Sequence, residues 1–514
     1  MGDTVFASTT IPYVNARPHL GHALEYVQAD AYVRSMAQHG DDVFFLTGAD
    51  ENSLKNVLAA EREGMSTREL VDRNVIYFEE LIKSFDIEVR DFIRTSARAD
   101  HHAGAQEIWR RIAANGDLYT KDYEGLYCVG CEQYYDRAEL VDGKCPEHLT
   151  VPELVRESNY FFRLSRYADQ LLDAIESGRI KIFPQTRQNE ITGFIRSGLA
   201  DISVSRSMER AHGWGIEVPG DSSQVIYVWI DALTNYINAL GWSRDAEEFE
   251  TYWNKAARRI HFLGKGVIRF HAVYWPAMLL SAGLPLPTDL VVHGYVTANG
   301  QKLSKSLGNV VDPIDLVNRY GIDAVRYYLL AELTPFGDGD FSEERLIARH
   351  NTDLSNGLGN LVSRVTSMIG RYRDGVVPAP GQAGSAEQAL ADEVVASAAA
   401  SLAAAERYDY RESLAAIWKL VRQANAYVDE KAPWNLAKTG DDAELDLTLF
   451  YLAAAVRQLG GLILPYLPDP GAAILRCFEG PDRTSPQAAT WLDDLAGQRL
   501  EKPDALFPRL EPVG

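Results

Sequence analysis

Residues 11–22 read IPYVNARPHLGH, and this stretch decides how the N-terminal half of the chain is built. The preceding residues 4–9, TVFAST, are of the apolar and β-branched kind that forms a buried strand. Residues 23–36 then predict a helix, because apolar side chains recur at helical spacing at Leu24, Val27, Ala31 and Tyr32. His19 and His22 are therefore expected in a strand-to-helix turn, where free backbone N–H groups and the positive end of the helix dipole favour a phosphate.

The details of this turn admit more than one interpretation. His19 and His22 are three residues apart and would share one face of the first helical turn. Gly21 lacks a side chain, so a flat ring such as adenine could approach its backbone. The alternatives are two incidental histidines at a helix start, or half of a metal site.

A second stretch, KLSKS at residues 302–306, completes the pattern far downstream. It follows a strand-like run over residues 290–297, LVVHGYVT, and an Asn-Gly turn. Two lysines three apart can close on a polyphosphate, although a solvated basic loop is the common alternative. Both stretches are predicted at the carboxyl ends of parallel strands, which is where open α/β sheets bind ligands.

Together, HLGH at residues 19–22 and KLSKS at residues 302–306 resemble the paired signature of class I aminoacyl-tRNA synthetases. Further words make the chain similar to the methionyl-tRNA synthetase family, and they run in order from about residue 4 to about residue 470: PYVN (12–15), YVWIDA (227–232), HGYVT (293–297) and APW (432–434). The resemblance implies a ligase that activates L-methionine with ATP and transfers it to the 3′ end of tRNA(Met), including initiator tRNA. It implies Mg²⁺ bound with the ATP.

The same resemblance implies roles for individual positions. The catalytic residues that stabilise charge on the phosphates would be His19, His22, Lys302 and Lys305. The ATP-binding residues would be Pro12, His19, Gly21, His22, Lys302, Ser304 and Lys305. The methionine-binding residues would be Ile11, Tyr13, Asp50, Trp229, Ala232, Tyr236, Val267 and His271. The anticodon-binding residues would be Asn360, Arg364 and Trp434.

Physical chemistry agrees with these roles without requiring them. A thioether is apolar and polarizable and gains from contact with aromatic rings, yet an aromatic stripe is commonly plain core. Asp50 follows a predicted strand over residues 42–48 and could bind an ammonium group, or it could cap the helix predicted over residues 52–63. An exposed Trp434 could stack on a splayed RNA base, or it could be a core residue. Leu233 and Gly266 stand where the family often has proline and aspartate.

Three of the four cysteines lie close together in the sequence. Cys128 and Cys131 form a Cys-x-x-Cys pair, and Cys145 with His148 forms a Cys-x-x-His pair. This spacing predicts one structural Zn²⁺, because two tight pairs can supply four tetrahedral ligands and leave no open position. A metal-free knuckle is the alternative, and a redox Cys-x-x-Cys is disfavoured because no helix is predicted after Cys131. Cys477 is expected to be unrelated to metal.

Composition excludes several classes of protein. The formal net charge of −21 is opposite to that of a protein that coats nucleic acid, so tRNA binding would need local basic and aromatic patches. The sequence has no run of about 18 apolar residues and no basic-then-apolar leader, so we expect no membrane span and no signal peptide. Few cysteines fit a reducing compartment, and we expect a cytoplasmic protein. Residues 262–266, FLGKG, lack the P-loop pattern, which excludes a kinase or GTPase of that kind.

The predicted fold is α/β: a Rossmann-like parallel-sheet catalytic domain, split by a zinc-knuckle insertion and followed by an all-α anticodon-binding helix bundle. Helical runs are predicted over residues 343–371, 386–407, 409–430 and 442–464. The predicted domains are the first catalytic half (1–114), the insertion (115–223), the second catalytic half (224–305), a connecting stem-contact domain with the lysine loop at its start (306–345) and the anticodon bundle (346–514). No further domain follows, so we expect a monomer.

Two rival functions remain to be weighed against this one. Another ligase with the same phosphate chemistry, such as a cysteine–sugar ligase, would not need an anticodon-like helical domain. A catalytically dead tRNA- or zinc-binding module would be expected to have lost the histidines or the lysines, and both sets are present.

Overall fold

The computed structural model describes residues 2–130, 132–146, 149–298, 301–302, 311–479 and 490–511. The chain divides into two compact units, and each is built from two stretches of sequence. Unit 1 comprises Met1–Pro18 and Asp41–Gly294, and unit 2 comprises His19–Gly40 and Tyr295–Gly514. The chain therefore passes from unit 1 to unit 2 in the middle of the IPYVNARPHLGH stretch.

The strands are numbered here in chain order. Their bounds are β1 (Thr4–Ser8), β2 (Asp42–Ala49), β3 (Asp91–Arg94), β4 (Leu118–Cys128), β5 (Gln133–Tyr135), β6 (Glu153–Phe162), β7 (Lys181–Phe183), β8 (Ile202–Ser203), β9 (Ser205–Ser207), β10 (Glu217–Val218), β11 (Asp221–Ile226), β12 (Arg258–Gly264), β13 (Asp289–His293), β14 (Val296–Ala298), β15 (Gln301–Lys302) and β16 (Gly339–Phe341).

The α-helices are numbered in the same way. Their bounds are α1 (Leu20–Gln38), α2 (Leu54–Glu63), α3 (Thr67–Ser84), α4 (Ala99–Ala114), α5 (Ala168–Glu176), α6 (Gln185–Arg196), α7 (Val228–Asn238), α8 (Glu247–Phe249), α9 (Trp275–Ala282), α10 (Pro313–Tyr320), α11 (Ile322–Ala331), α12 (Glu343–Arg349), α13 (Asn360–Arg373), α14 (Ser385–Glu406), α15 (Tyr410–Lys431), α16 (Pro433–Thr439), α17 (Asp442–Ile463) and α18 (Pro468–Arg476).

A parallel sheet forms the centre of unit 1, with the strand order β3-β2-β1-β12-β13-β7. Every neighbouring pair in it is parallel. Its central strands β1, β12 and β13 are buried along most of their length, as expected for strands covered on both faces. The strand order reverses between β1 and β12, so the crevice at the carboxyl ends of these strands is the place where such sheets bind ligands.

The predicted α/β class and the first two predicted strands are confirmed by this sheet, but two predicted elements are wrong in detail. The helix predicted over residues 23–36 begins earlier, at Leu20. The single strand predicted over residues 290–297 is interrupted at Gly294–Tyr295: β13 joins the parallel sheet, whereas β14 joins a small sheet with β15 and β16. Strand β11 ends at Ile226, so Trp229 lies in helix α7.

The predicted insertion, residues 115–223, contributes more than a knuckle. Its β4, β5, β6 and β8 form an antiparallel sheet, and β9 pairs with β11 beyond it. Its short strand β7 pairs with β13 at the edge of the parallel sheet, with Lys181 opposite Asp289. The insertion therefore returns one strand to the nucleotide-binding fold.

Unit 2 is mostly helical, and helix α1 is part of it. Most of α1 is buried, including its only two acidic residues, Glu25 and Asp30. The Asp30 carboxylate accepts hydrogen bonds from Arg34, at 2.9 Å, and from the fully buried Arg326 of α11, at 2.7 Å. Arg326 also donates to the carbonyl of Tyr466, so one buried cation joins α1, α11 and the chain that follows α17.

The helical runs predicted for the C-terminal part are confirmed in kind, with shifts at their ends. The run over residues 343–371 comprises α12, a wider π-helical segment at His350–Gly359, and α13. In the described residues one helix, α17, is long and apolar enough to cross a membrane by length and composition, but 94% of its most apolar window is buried inside the protein. Length, apolar composition and burial together are typical of a helix in the core of a helix bundle.

Candidate active site

His19 and His22 form the start of helix α1 by capping it. The Nδ1 of His19 accepts a hydrogen bond from the backbone N–H of Gly21, and the Nδ1 of His22 accepts one from the backbone N–H of His19, both at 3.1 Å. The two rings stack with their centroids 3.9 Å apart. Since each Nδ1 accepts from the backbone, each neutral ring carries its proton on Nε2, which is then the atom that can donate to a phosphate.

Gly21 is required by this cap. A Cβ atom added at Gly21 would lie 2.9 Å from Cε1 and 3.0 Å from Nδ1 of His19. Any side chain there would push the His19 ring from its position. The predicted role of Gly21 was to let adenine approach, and the structure adds a second reason for glycine.

The lysine stretch is described only at its first lysine. Lys302 ends strand β15 and pairs with Thr297 of β14. Ser304 and Lys305 lie outside the described residues. Lys302, His19 and His22 all belong to unit 2.

Asp50 lies at the carboxyl end of β2, beside the IPYVN stretch. Its backbone N–H donates to the carbonyl of Pro12 at 2.9 Å, and it forms an isolated parallel bridge with Tyr13. The residue is 2% exposed, and its Oδ1 has no hydrogen-bond partner in the described structure. The alternative role as a helix cap is wrong, because helix α2 is capped by the side chain of Ser53.

Further acidic residues surround Asp50. Burial raises the pKa of the Asp50 carboxyl well above its usual value, and the negative charges of Asp231 and Glu132 raise it further. Asp231 is itself held by Asn52 and by the buried His101. A buried carboxylate oxygen without a donor, close to other carboxylates, is a site prepared for a cation such as an ammonium group.

The predicted methionine-binding residues all lie in unit 1, and several of them touch. The rings of Tyr13 and Trp229 meet edge to face, with centroids 6.2 Å apart. Trp229 also stacks on Phe270 at 3.7 Å. Ile11, Tyr13, Trp229 and Val267 are partly buried and pack against the hydrophobic core. The structure therefore brings together an apolar, aromatic surface that is not fully covered by the protein.

Tyr236 and His271 form the buried side of this group. The Nδ1 of His271 lies 3.0 Å from the carbonyl oxygen of Val267, and its Nε2 lies 2.7 Å from the Tyr236 hydroxyl. A carbonyl can only accept, so Nδ1 donates and Nε2 accepts from the tyrosine. The two hydrogen bonds hold the His271 ring in one orientation. Ala232 lies one helical turn before Tyr236 on α7 and is 4% exposed.

A buried arginine that was not predicted from the sequence lies close to these residues. Arg206 is 7% exposed, and its guanidinium lies over the rings of Tyr227, Tyr134 and Tyr127, at 4.2, 5.1 and 5.3 Å. It donates to Ser203 Oγ and to the carbonyl of Ser205, while its Nε has no partner. No carboxylate pairs with it within the described part of the chain. Only the clustering of tyrosines in the sequence could have hinted at this cation.

Two of the four predicted zinc ligands are described. Cys128 and Cys145 are buried and share one small cluster with Tyr135. The Sγ of Cys145 lies 3.6 Å from the Tyr135 hydroxyl, and the Sγ of Cys128 lies 3.9 Å from Thr150 Oγ1. Cys131 and His148 lie outside the described residues, and the described residues alone contain no group of three metal-binding side chains. Two thiols from separate turns in one cluster fit the chemistry of a zinc knuckle.

The predicted anticodon residues lie in unit 2. Trp434 is in the first turn of α16 and is 36% exposed. The guanidinium of Arg364 lies 5.7 Å from the centre of the Trp434 ring and donates to Asp429 at 2.7 Å. Asn360 begins α13, one turn before Arg364, and is exposed. The structure therefore brings Arg364 and Trp434 together on an accessible surface.

Comparison with known proteins agrees with this arrangement. Residues 5–150 and 148–366 match the family profile described as tRNA synthetases class I (M), and residues 377–512 match the anticodon binding domain of methionyl tRNA ligase. The Brucella melitensis methionine–tRNA ligase is 42% identical over 510 residues, which cover 98% of this chain and 97% of the relative. A structure of Mycobacterium tuberculosis methionyl-tRNA synthetase in complex with methionyl-adenylate matches with a TM-score of 0.94 and 40% identity, over 99% of this chain and 100% of that one.

The parallel sheet, the capped histidine turn and the C-terminal helices are those of a class I aminoacyl-tRNA synthetase. Within that class, the profiles that match the catalytic residues and the C-terminal residues are both those of the methionine-specific enzymes. The chain belongs to the methionyl-tRNA synthetase family, and the resemblance found in the sequence is confirmed.

Proposed function

We propose that this chain is a methionine–tRNA ligase that activates L-methionine with ATP and transfers the methionyl group to the 3′ end of tRNA(Met), including initiator tRNA. The observation that carries the proposal is the buried, partnerless carboxylate oxygen of Asp50 beside the aromatic surface of Tyr13 and Trp229. This pairing offers an anion for an amino-acid ammonium group and an apolar, polarizable surface for a thioether.

In the first step the methionine carboxylate attacks the α-phosphorus of ATP, and pyrophosphate leaves. Donors aimed at the phosphates lower the barrier because negative charge builds there in the transition state. His19 and His22 carry their protons on Nε2 and are assigned this role, together with Lys302, Ser304 and Lys305. Pro12 and Gly21 are assigned to the nucleotide. In the second step the terminal ribose 2′-OH of tRNA attacks the adenylate.

Two metals belong to the proposal. Mg²⁺ would be bound through phosphate oxygens of ATP. One Zn²⁺ would be held by Cys128, Cys131, Cys145 and His148, and it would supply structural cross-linking of the knuckle. The burial of Cys128 and Cys145 in one cluster supports this ligand set.

The remaining partners follow from the helical unit and from composition. Asn360, Arg364 and Trp434 are proposed to read the anticodon, with Trp434 stacking on a base. The exposure of Trp434 and the adjacent guanidinium support this role. We further propose a cytoplasmic monomer that does not associate with membranes.

The deciding experiment is amino-acid-dependent ATP–pyrophosphate exchange, measured with each of the standard amino acids. Exchange with methionine alone, followed by charging of tRNA(Met), is the expected result. Exchange with cysteine without tRNA charging would favour the cysteine–sugar ligase, and no exchange with any amino acid would favour a dead binding module. Elemental analysis of the same sample should give about one zinc per chain.

A further inference from the structure

Glu132 is a buried acidic residue that the proposed chemistry does not use. It follows the position of Cys131 in the knuckle and is only 1% exposed. Its backbone has φ 54°, in the left-handed region that residues other than glycine rarely adopt. Such conformations persist where the surrounding structure enforces them, and they concentrate at functional sites. The chain therefore turns sharply at this point to place the Glu132 carboxylate inside the protein.

The carboxylate of Glu132 lies at the start of helix α2. Its Oε1 accepts a hydrogen bond from the backbone N–H of Lys55, the second residue of that helix, at 3.1 Å. Free N–H groups and the positive end of the helix dipole stabilise an anion there. The other oxygen, Oε2, is buried as well. Half of the carboxylate is therefore held by the helix, and the other half is left to interact with the Tyr13 hydroxyl and the Lys55 ammonium group.

The same carboxylate is close to two residues of the amino-acid site. Its charge is the strongest electrostatic influence on Tyr13, whose buried hydroxyl can donate a hydrogen bond to it. It acts on Asp50 as well, and the Nζ of Lys55 lies 4.5 Å from the centre of the Tyr13 ring, where its positive charge partly balances Glu132. Glu132, Tyr13 and Asp50 thus form one corner of the site, in which the Oδ1 of Asp50 has no hydrogen-bond partner.

We propose that Glu132 is a positioning residue of the amino-acid site. It supplies a second carboxylate from the knuckle, which together with Asp50 creates a negative potential for the substrate ammonium group. It also holds the side chain of Tyr13 in place. The inference rests on the proposed function, since it assumes that an amino acid binds beside Asp50. It gives the knuckle a purpose beyond its own stability, because unfolding of the knuckle would remove a charge from the site.

The test compares Glu132→Gln with Asp142→Asn. The glutamine keeps an oxygen that can accept from Lys55 and removes only the charge. Asp142 is an exposed acidic residue of the same knuckle segment and has a similar left-handed backbone, so it controls for loss of charge in the knuckle. Equilibrium binding of L-methionine and of L-methioninol, which keeps the ammonium and lacks the carboxylate, is measured together with the KM for ATP, the zinc content and the melting temperature.

The expected result is that Glu132→Gln weakens binding of both methionine and methioninol by about tenfold, while the KM for ATP, the zinc content and the Asp142→Asn variant stay at wild-type values. Unchanged binding of both ligands in Glu132→Gln would overturn the inference. So would weaker methionine binding with unchanged methioninol binding, equal losses in Asp142→Asn, or a loss that appears only together with lost zinc. Failure of the unaltered protein to bind methionine would instead count against the proposed function itself.

Discussion

At the scale of single residues, the candidate site is defined by polar atoms that the folded chain leaves without partners. A buried carboxylate without a donor costs free energy, so it persists where a ligand supplies the missing group. Asp50 Oδ1 is such an atom, and the carboxylate of Glu132 and the hydroxyl of Tyr13 are buried beside it. The three lie around one corner of the parallel sheet's carboxyl edge, which makes this corner the part of unit 1 most clearly built to receive a cation.

Asp50→Asn should weaken methionine recognition and leave ATP recognition intact. Losing a hydrogen bond to a charged group costs about 1.5–3 kcal/mol, which corresponds to roughly a tenfold to hundredfold rise in the KM for methionine. Burial and neighbouring carboxylates raise the pKa of Asp50, so more of it is protonated as pH falls. The methionine affinity of the unaltered protein should therefore fall toward acid pH, and that dependence should be absent from the variant. Pyrophosphate exchange measured across pH checks both points, and an equal rise in the two KM values would indicate a folding defect instead.

The role of a residue could be predicted from the sequence only where that residue belongs to a recognisable pattern. Asp50 and the histidines could be found because a strand's end or a helix's start places them. Arg206 and Glu132 could not, because each is a lone charged residue in a polar-looking segment whose burial arises only when distant strands and helices close around it. Gly21 was assigned to the ligand, yet its closest neighbour is the ring of His19, a contact that exists only once the cap has formed.

At the scale of secondary-structure elements, continuous apolar patterns were predicted well and their interruptions were not. The strands β1 and β2 and the long bundle helices followed directly from periodicity. The run LVVHGYVT has the β-branched and aromatic residues of a single strand, and only Gly294 marks the break at Gly294–Tyr295 that sends β13 and β14 to different sheets. The short helix α16 was not predicted, because its seven residues make only about two turns, which is too brief to show a period.

Trp434→Ala tests the element that presents this tryptophan. Stacking of one base on an aromatic ring is worth about 1–3 kcal/mol, so charging at limiting tRNA should fall by roughly tenfold to a hundredfold. Exchange without tRNA and the melting temperature should stay near their original values, because the side chain is partly exposed. Trp434→Phe keeps a ring and should recover most of the charging. A parallel fall of exchange, charging and melting temperature would make Trp434 a core residue.

At the scale of the whole molecule, the division into units does not follow the order of the sequence. Helix α1 comes from the N-terminal region, but its buried Asp30 is paired with Arg326 inside unit 2. Both side chains have no exposed surface, so the pair exists without help from water. Breaking such a pair is costly because one charge remains buried alone, whereas replacing both partners is far milder.

Arg326→Met should destabilise the protein by about 3–5 kcal/mol, because Asp30 would keep only the hydrogen bond from Arg34 and the carbonyl of Tyr466 would lose its donor. The double variant Asp30→Leu with Arg326→Met should recover most of that loss, since neither charge remains. Urea unfolding of the two single variants and the double variant measures the coupling. Additive losses in the double variant would show that the two side chains do not depend on each other.

The placement of helix α1 in unit 2 also determines where the chain can be divided into fragments. A fragment that starts at Tyr295 contains Arg326 but not Asp30, and it leaves Tyr408 without the ring of Tyr32, which lies 5.1 Å away in the complete chain. The complementary fragment ending at Gly294 retains α1 as a largely apolar helix whose own unit is missing. A cut between the catalytic and anticodon sequences therefore separates helix α1 from the rest of its own unit. A self-sufficient anticodon module would have to be assembled by grafting residues 19–40 onto the later sequence through a new linker.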